Sequence, residues 1–226
     1  AETTTTASTL NYPSGAGCVA AYQLDGDASD VGGTYGGVTS NVGYTGLKFQ
    51  ADLIWIKSRN APADHTLTDS VRGVQQLLSP NTNALEGNQS PNGMTNFGAN
   101  SFSETDVSTG GAGVNGPAGG ANSGTPPGYV AWCFKGGGSS QDFNVDGTGY
   151  TTASAAGLTA GDITPTGSSV NTASGFSIIK YPGNSAASAT IPHGLSSAPE
   201  LVIVKAMNLG AGWPTQAPGY FGLRLN

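Results

Sequence analysis

The sequence predicts an all-β protein, an antiparallel β-sandwich followed by a smaller second β unit. Three observations carry this. Glycine makes up 36 of 226 residues and charged residues only 10%, a composition that suits short strands joined by tight turns and suits long helices badly. The apolar runs are short and rich in β-branched and aromatic side chains, as in Leu53-Ile54-Trp55-Ile56 and Val130-Ala131-Trp132-Cys133-Phe134, which is the signature of buried strands. Finally, one such run occurs twice. Residues 46–60 and 194–208 align without a gap, with Gly46/Gly194, Leu47/Leu195, Leu53/Leu201, Lys57/Lys205 and Asn60/Asn208 identical. Asp52/Glu200, Ile54/Val202 and Ile56/Val204 are like for like, so each copy holds four apolar residues closed by a lysine.

Composition also bounds function. The apolar share is 37%, so the core is thin. The formal charge is −6 and only eight Lys and Arg are present, scattered along the chain. Nucleic-acid binding needs a basic face and is set aside. No apolar run approaches the roughly 18 residues of a membrane span. The chain opens at Ala1, which fits a processed secreted chain, a virion protein without its Met, or a fragment. The two cysteines, Cys18 and Cys133, have two open readings. They are either small core residues or one disulfide formed in an oxidising compartment.

Taken in order, residues 1–15 read as an N-terminal arm. Thr3, Thr4, Thr5 and Thr6 have strand propensity and almost nothing to bury. The arm is either loosely attached or a strand exchanged with a neighbouring subunit, with Leu10 and Tyr12 filling pockets. An exposed Thr cluster is also a compositional O-glycan carrier. Residues 16–148 form the expected sandwich domain. Its first strand, Cys18 to Leu24, runs into Asp25, Asp27 and Asp30, a candidate set of hard oxygen ligands for Ca²⁺, which is the one cofactor suggested. Asp-Gly pairs also make turns without metal.

After the first copy of the repeated strand come His65, Asp69 and Ser70. These invite a catalytic triad, but no Gly-x-Ser-x-Gly elbow accompanies them. Asp69 and Arg72 are expected instead to pin a loop by a charge-assisted hydrogen bond. Val71, Val74, Leu77 and Leu78 have helical spacing interrupted by Gly73, which allows one turn at most. Residues 81–128 read as a long surface loop. It contains the sequon Asn88-Gln89-Ser90, a candidate N-glycosylation site, and a glycine-rich run that lacks the Gly-Lys-Ser/Thr of a phosphate loop. Tyr129 to Lys135 is a second buried strand, broken by Gly136-Gly137-Gly138.

Residues 149–226 form the expected second, partial unit. A strand around Ile178 and Ile179 is followed by the turn Pro182-Gly183-Asn184 and a mild strand from Ala186 to Ile191. His193 beside Pro and Gly reads as a turn residue. The second copy of the repeated strand then has no later counterpart of Tyr129 to Lys135, and a half-finished sheet would need its edge paired. The expected core comprises Ile54, Trp55, Ile56, Trp132, Phe134, Ile178, Val202 and Val204.

Two resemblances follow from these pieces. The strand followed by Leu24-Asp25-Gly26-Asp27-Ala28 and a glycine-rich turn resembles the opening of laminin-G-like, lectin-type sandwich domains. Leu53 to Arg59, Asp69-Ser70-Val71-Arg72-Gly73, Val130 to Lys135, and Ile191-Pro192-His193-Gly194-Leu195 running into Glu200 to Lys205 together resemble a family of bacteriophage and marine-virus tail-fibre or virion structural proteins. The resemblance covers roughly residues 18–208. It implies a non-enzymatic β-rich module of jelly-roll or lectin-like type, at an extracellular or virion surface, with no catalytic residues to carry over. The expectation is a fibre or filament subunit whose partners are copies of itself, added head-to-tail. The alternative is a module that binds surface glycans, with Trp213 or Tyr35 as aromatic platforms.

Overall fold

A computed structural model describes residues 20–24, 42–43, 49–59, 62–91, 93–105, 128–217 and 220–225, with only the backbone path for 20–24, 42–43, 217 and 220–225. The fold is all-β, and no helix occurs among the described residues.

The central element is β3 (Leu53–Ser58), with β9 (Tyr129–Phe134) beside it. Flanked by β1 (Ala20–Leu24) and β4 (Thr66–Asp69), they form a four-stranded antiparallel sheet in the order β1-β9-β3-β4. Burial alternates along β3 and β9, as the two-residue period of a strand requires. Ile54, Ile56, Tyr129, Ala131 and Cys133 point to one face and share a core with Met94 and Phe102. Those two come from β7 (Gly93–Phe97) and β8 (Phe102–Thr105), which with β2 (Val42–Gly43) make a second sheet in the order β2-β8-β7. The opposite face carries Leu53, Trp55 and Leu67, packed with Leu78 and Trp213. Both faces of the first sheet are therefore covered, which is why β3 reads as an unbroken apolar run rather than an alternation. Ile54 is fully buried, worth about 1.5–3 kcal/mol. Trp55 and Trp132 face each other across the pair with ring centroids 5.8 Å apart in an edge contact.

Two further strands, β5 (Gln76–Leu77) and β6 (Gly87–Asn88), pair beside β4. A third sheet runs β11-β10-β12-β13, from β10 (Phe143–Val145), β11 (Thr148–Tyr150), β12 (Gly167–Asn171) and β13 (Phe176–Lys180). Asp146 and Gly147 join β10 to β11 with φ of 50° and 85°. Positive φ at both central residues marks a type I′ hairpin, the role for which Asp-Gly is favoured. The domain boundary expected at 148/149 falls inside this hairpin. The last sheet is β14-β15-β16, from β14 (Val202–Ile203), β15 (Trp213–Ala217) and β16 (Tyr220–Leu225).

Several expectations change. Residues 81–128 hold β6, β7 and β8, not only loop; these strands carry none, two and one apolar residue respectively, too few to show as a run. The sheets are not wholly antiparallel, because β10 and β12 run parallel. Val71 to Leu78, expected to form one helical turn at most, forms turns and also a short strand, β5. The two copies of the repeated strand are not equivalent. The first is a six-residue central strand, the second a two-residue edge strand with Val202 40% exposed. The cause is local. Val204 N donates to Pro214 O at 2.9 Å, but Pro214 has no N–H to return the bond, so the ladder ends there. Among the expected core residues only Ile54 and Ile56 are fully buried. Trp55, Trp132, Phe134, Ile178 and Val204 are half-buried. Finally, the closing strand expected to be missing after the second copy is supplied by the chain itself, as β15 and β16.

Candidate functional site

The residues singled out from sequence fall into three places. Asp25, Asp27, Asp30, Cys18, Tyr35 and the arm residues Thr3 to Thr6, Leu10 and Tyr12 lie outside the described residues. Cys133 is a buried free thiol facing the main core, and burial pushes it up to about 12. Asn88 of the sequon is exposed at the end of β6, where its Oδ1 accepts a hydrogen bond from Ser90 N at 2.8 Å.

His65, Asp69 and Ser70 are not brought together for catalysis. His65 Nδ1 accepts the indole proton of Trp55 at 2.9 Å, and its pKa is lowered by burial and by the nearby Lys57. Ser70 Oγ donates to Asp52 instead. Asp69 is engaged by Arg72, as the sequence suggested. Its Oδ1 accepts from the N–H groups of Val71 and Arg72, and its Oδ2 takes Arg72 Nε at 2.5 Å. The same guanidinium reaches Glu86 Oε1 and the carbonyl oxygens of Leu67 and Gln76. Both partners of the Asp69–Arg72 pair have side chains only 6% exposed, so the pair is buried and multiply bonded.

A second polar centre was not visible in the sequence. Asp52, just before β3, is buried and accepts four hydrogen bonds. Ser70 Oγ and Gln50 Nε2 reach its Oδ1, and the N–H groups of Gly136 and Gly138 reach its Oδ2. Burial raises its pKa and these bonds oppose the rise. The glycines let the backbone come close: a Cβ on Gly137 would lie 2.3 Å from Val170 O. Ser169 Oγ completes the junction by accepting from Gly137 N and donating to Gly138 O. This ties the first sheet to the third. A depression of about 600 Å³ opens beside it, lined by Gln50, Asp52, Ser139, Asp146 and Thr172 among others. Asp52, the buried acid on its wall, has both oxygens hydrogen-bonded within the protein and serves as a joint between the two sheets. Three consecutive glycines after a strand were the available signal.

The C-terminal sheet carries a cluster of exposed apolar residues. The loop before β6, residues 82–86, holds it in place. Trp213 Nε1 donates to Thr82 O at 3.0 Å, Glu86 N donates to Met207 O at 2.8 Å, and Lys205 Nζ sits 5.6 Å above the Trp213 ring. Trp213 is only 3% exposed and is therefore no platform for a sugar ring. The neighbouring edge is the reverse case. Leu201, just before β14, and Val202 and Ile203 on it stand exposed in succession, and Leu209, six residues on in the chain, is 62% exposed. Among the described residues β14 has a strand on one side only, so among them its other side has no paired neighbour and is flanked by apolar side chains, the arrangement that invites another strand.

Among the described residues no cluster of three His, Cys, Asp or Glu suits a metal ion, and no helix is long and apolar enough to cross a membrane. No curated protein and no solved structure matches the chain. A family model, described as Domain of unknown function (DUF7483), matches residues 31–219, and the chain belongs to that family.

Proposed function

We propose that this protein is a non-enzymatic structural subunit that assembles with copies of itself into a fibre or filament, outside the cell or on a virion surface. The exposed apolar edge of β14 carries the reading. Soluble monomers generally protect sheet edges with charge, proline or a covering loop, whereas here three apolar residues in a row are left open. The side chains that offered proton-transfer chemistry, His65, Asp69 and Ser70, are committed to Trp55, Arg72 and Asp52, which supports a structural role. The resemblance to tail-fibre and virion proteins supports the same conclusion. The glycan-binding alternative loses its Trp213 platform to burial.

Negative-stain microscopy of the purified chain tests the proposal. Regular filaments or oligomers of defined shape are expected. Dispersed single particles across the accessible concentration range would overturn it.

A further inference from the structure

Six large apolar side chains are exposed among the described residues, and four of them, Leu201, Val202, Ile203 and Leu209, lie within nine residues of chain. A fifth, Leu85, precedes Glu86, whose N–H is bonded to Met207 O. The patch is thus built by one segment and its supporting loop. Its centre is the outer edge of β14, which no strand pairs among the described residues. Val204 N–H points to Pro214 on β15. Because ladder groups alternate along a strand, Val202 also faces β15, and Leu201 and Ile203 turn their N–H and C=O groups outward.

We propose that a second copy of this chain covers this edge, its β14 pairing antiparallel with the first about a two-fold axis at Val202. The proposal rests on the self-assembly reading only for the identity of the occupant. A two-fold axis normal to a sheet keeps every side chain on its own face, so a residue can meet only residues of the same parity in the copy. Centred on Val202, the pairing sets Leu201 opposite Ile203 and Val202 opposite itself. The outward N–H and C=O groups of Leu201 and Ile203 then meet and exchange both hydrogen bonds. Each exposed apolar residue of the strand faces an exposed apolar residue of the copy.

Charge fits the same register. Glu200 falls opposite the uncharged Val204, and the two Glu200 carboxylates lie at opposite ends of the paired strands. For a chain of net charge −6, this removes the like-charge contact that would oppose association. The alternative centre at Ile203 would set Leu201 against Lys205, whose ammonium is already held by Ala211 O. Opposite Lys205 the copy offers Pro199, which has no N–H, so the ladder stops after the apolar stretch. The contact joins two three-stranded sheets into one continuous sheet and closes on a pair, so a fibre built from such pairs grows through a second, different surface.

Single cysteines read the register. Val202→Cys and Ile203→Cys are made separately in the full chain, oxidised mildly, and compared with wild type, which keeps Cys18 and Cys133. Opposed residues of a non-hydrogen-bonded antiparallel pair are close enough to bridge, so Val202→Cys is expected to give a covalent dimer, and Ile203→Cys about tenfold less of it. Ile203→Lys is expected to lower the mass found by light scattering without changing the melting temperature measured at dilutions where wild type is dissociated. Wild type that assembles while neither cysteine variant cross-links above background overturns the β14 pairing and leaves the self-assembly reading standing. Preferential cross-linking of Ile203→Cys, or unchanged assembly of Ile203→Lys, likewise overturns the pairing. Wild type that stays monomeric at every concentration overturns both.

Discussion

Asp52 Oδ2 accepts a hydrogen bond from Gly136 N at 2.9 Å across 84 residues of sequence. The contact makes the end of the central strand the acceptor for the glycine turn that leads into the third sheet. Replacing Asp52 by Ala leaves the N–H groups of Gly136 and Gly138 without their acceptor. The expected loss is on the order of 2–4 kcal/mol in urea unfolding. Gly137→Ala, which would drive a methyl group into Val170 O, is expected to cost about 1–3 kcal/mol by overpacking. Near-native stability in both would show that the junction is incidental.

Arg72 is held by Asp69, Glu86 and two carbonyl oxygens with little solvent access. Truncation to Ala strands the Asp69 carboxylate in the interior, at an expected cost of about 3–5 kcal/mol. Arg72→Lys should recover only a small part, because an ammonium cannot reproduce the planar fork. Thermal melts of the two variants separate loss of charge from loss of geometry, and equal melting temperatures for Lys and Arg would argue against this account.

The repeat supplies an internal comparison. Ile54 and Val202 occupy the same place in the two copies, yet Ile54 is 0% exposed and Val202 40%. Ile54→Ala is expected to cost about 2–5 kcal/mol. Val202→Ala should remain within about 0.5 kcal/mol in the dissociated chain. Comparable losses measured by denaturant unfolding under dilute conditions would mean that β14 is buried after all.

Glu104 lies inward on β8, opposite Met94, only 2% exposed, and neither carboxylate oxygen has a hydrogen-bond partner. Burial pushes its pKa from 4.5 up to about 8. The folded state therefore keeps a proton that the unfolded state has already lost between those values. Stability from this group is full below about pH 4.5, falls as pH rises, and levels off above about pH 8, a span on the order of 3–5 kcal/mol. Asp52, also raised by burial, adds a slope of the same sign. Glu104→Gln should flatten the fall in melting temperature across that window. An unchanged pH profile in the variant would show that Glu104 is not its source.

Strands that bury both faces were legible in the sequence, and strands that bury one thin face were not. Leu53 to Ile56 and Val130 to Phe134 advertise themselves because every residue needs cover. In β7 and β8 the core depends on Met94 and Phe102 with polar residues between them, a pattern that a surface loop can share. The Asp69–Arg72 pair was legible because its members are three residues apart in a turn. The Asp52 junction was not, since its partners lie 84 and 86 residues away. Exposure of Val202 was hidden for a related reason. Hydrophobicity records what a strand prefers, whereas Pro214 on the paired strand decides what it gets.

Sedimentation velocity of the full chain over a concentration series tests self-assembly most directly. The account predicts that the weight-average sedimentation coefficient rises with concentration and falls back in Ile203→Lys. A single monomeric boundary, unchanged from the most dilute to the most concentrated sample, would contradict it.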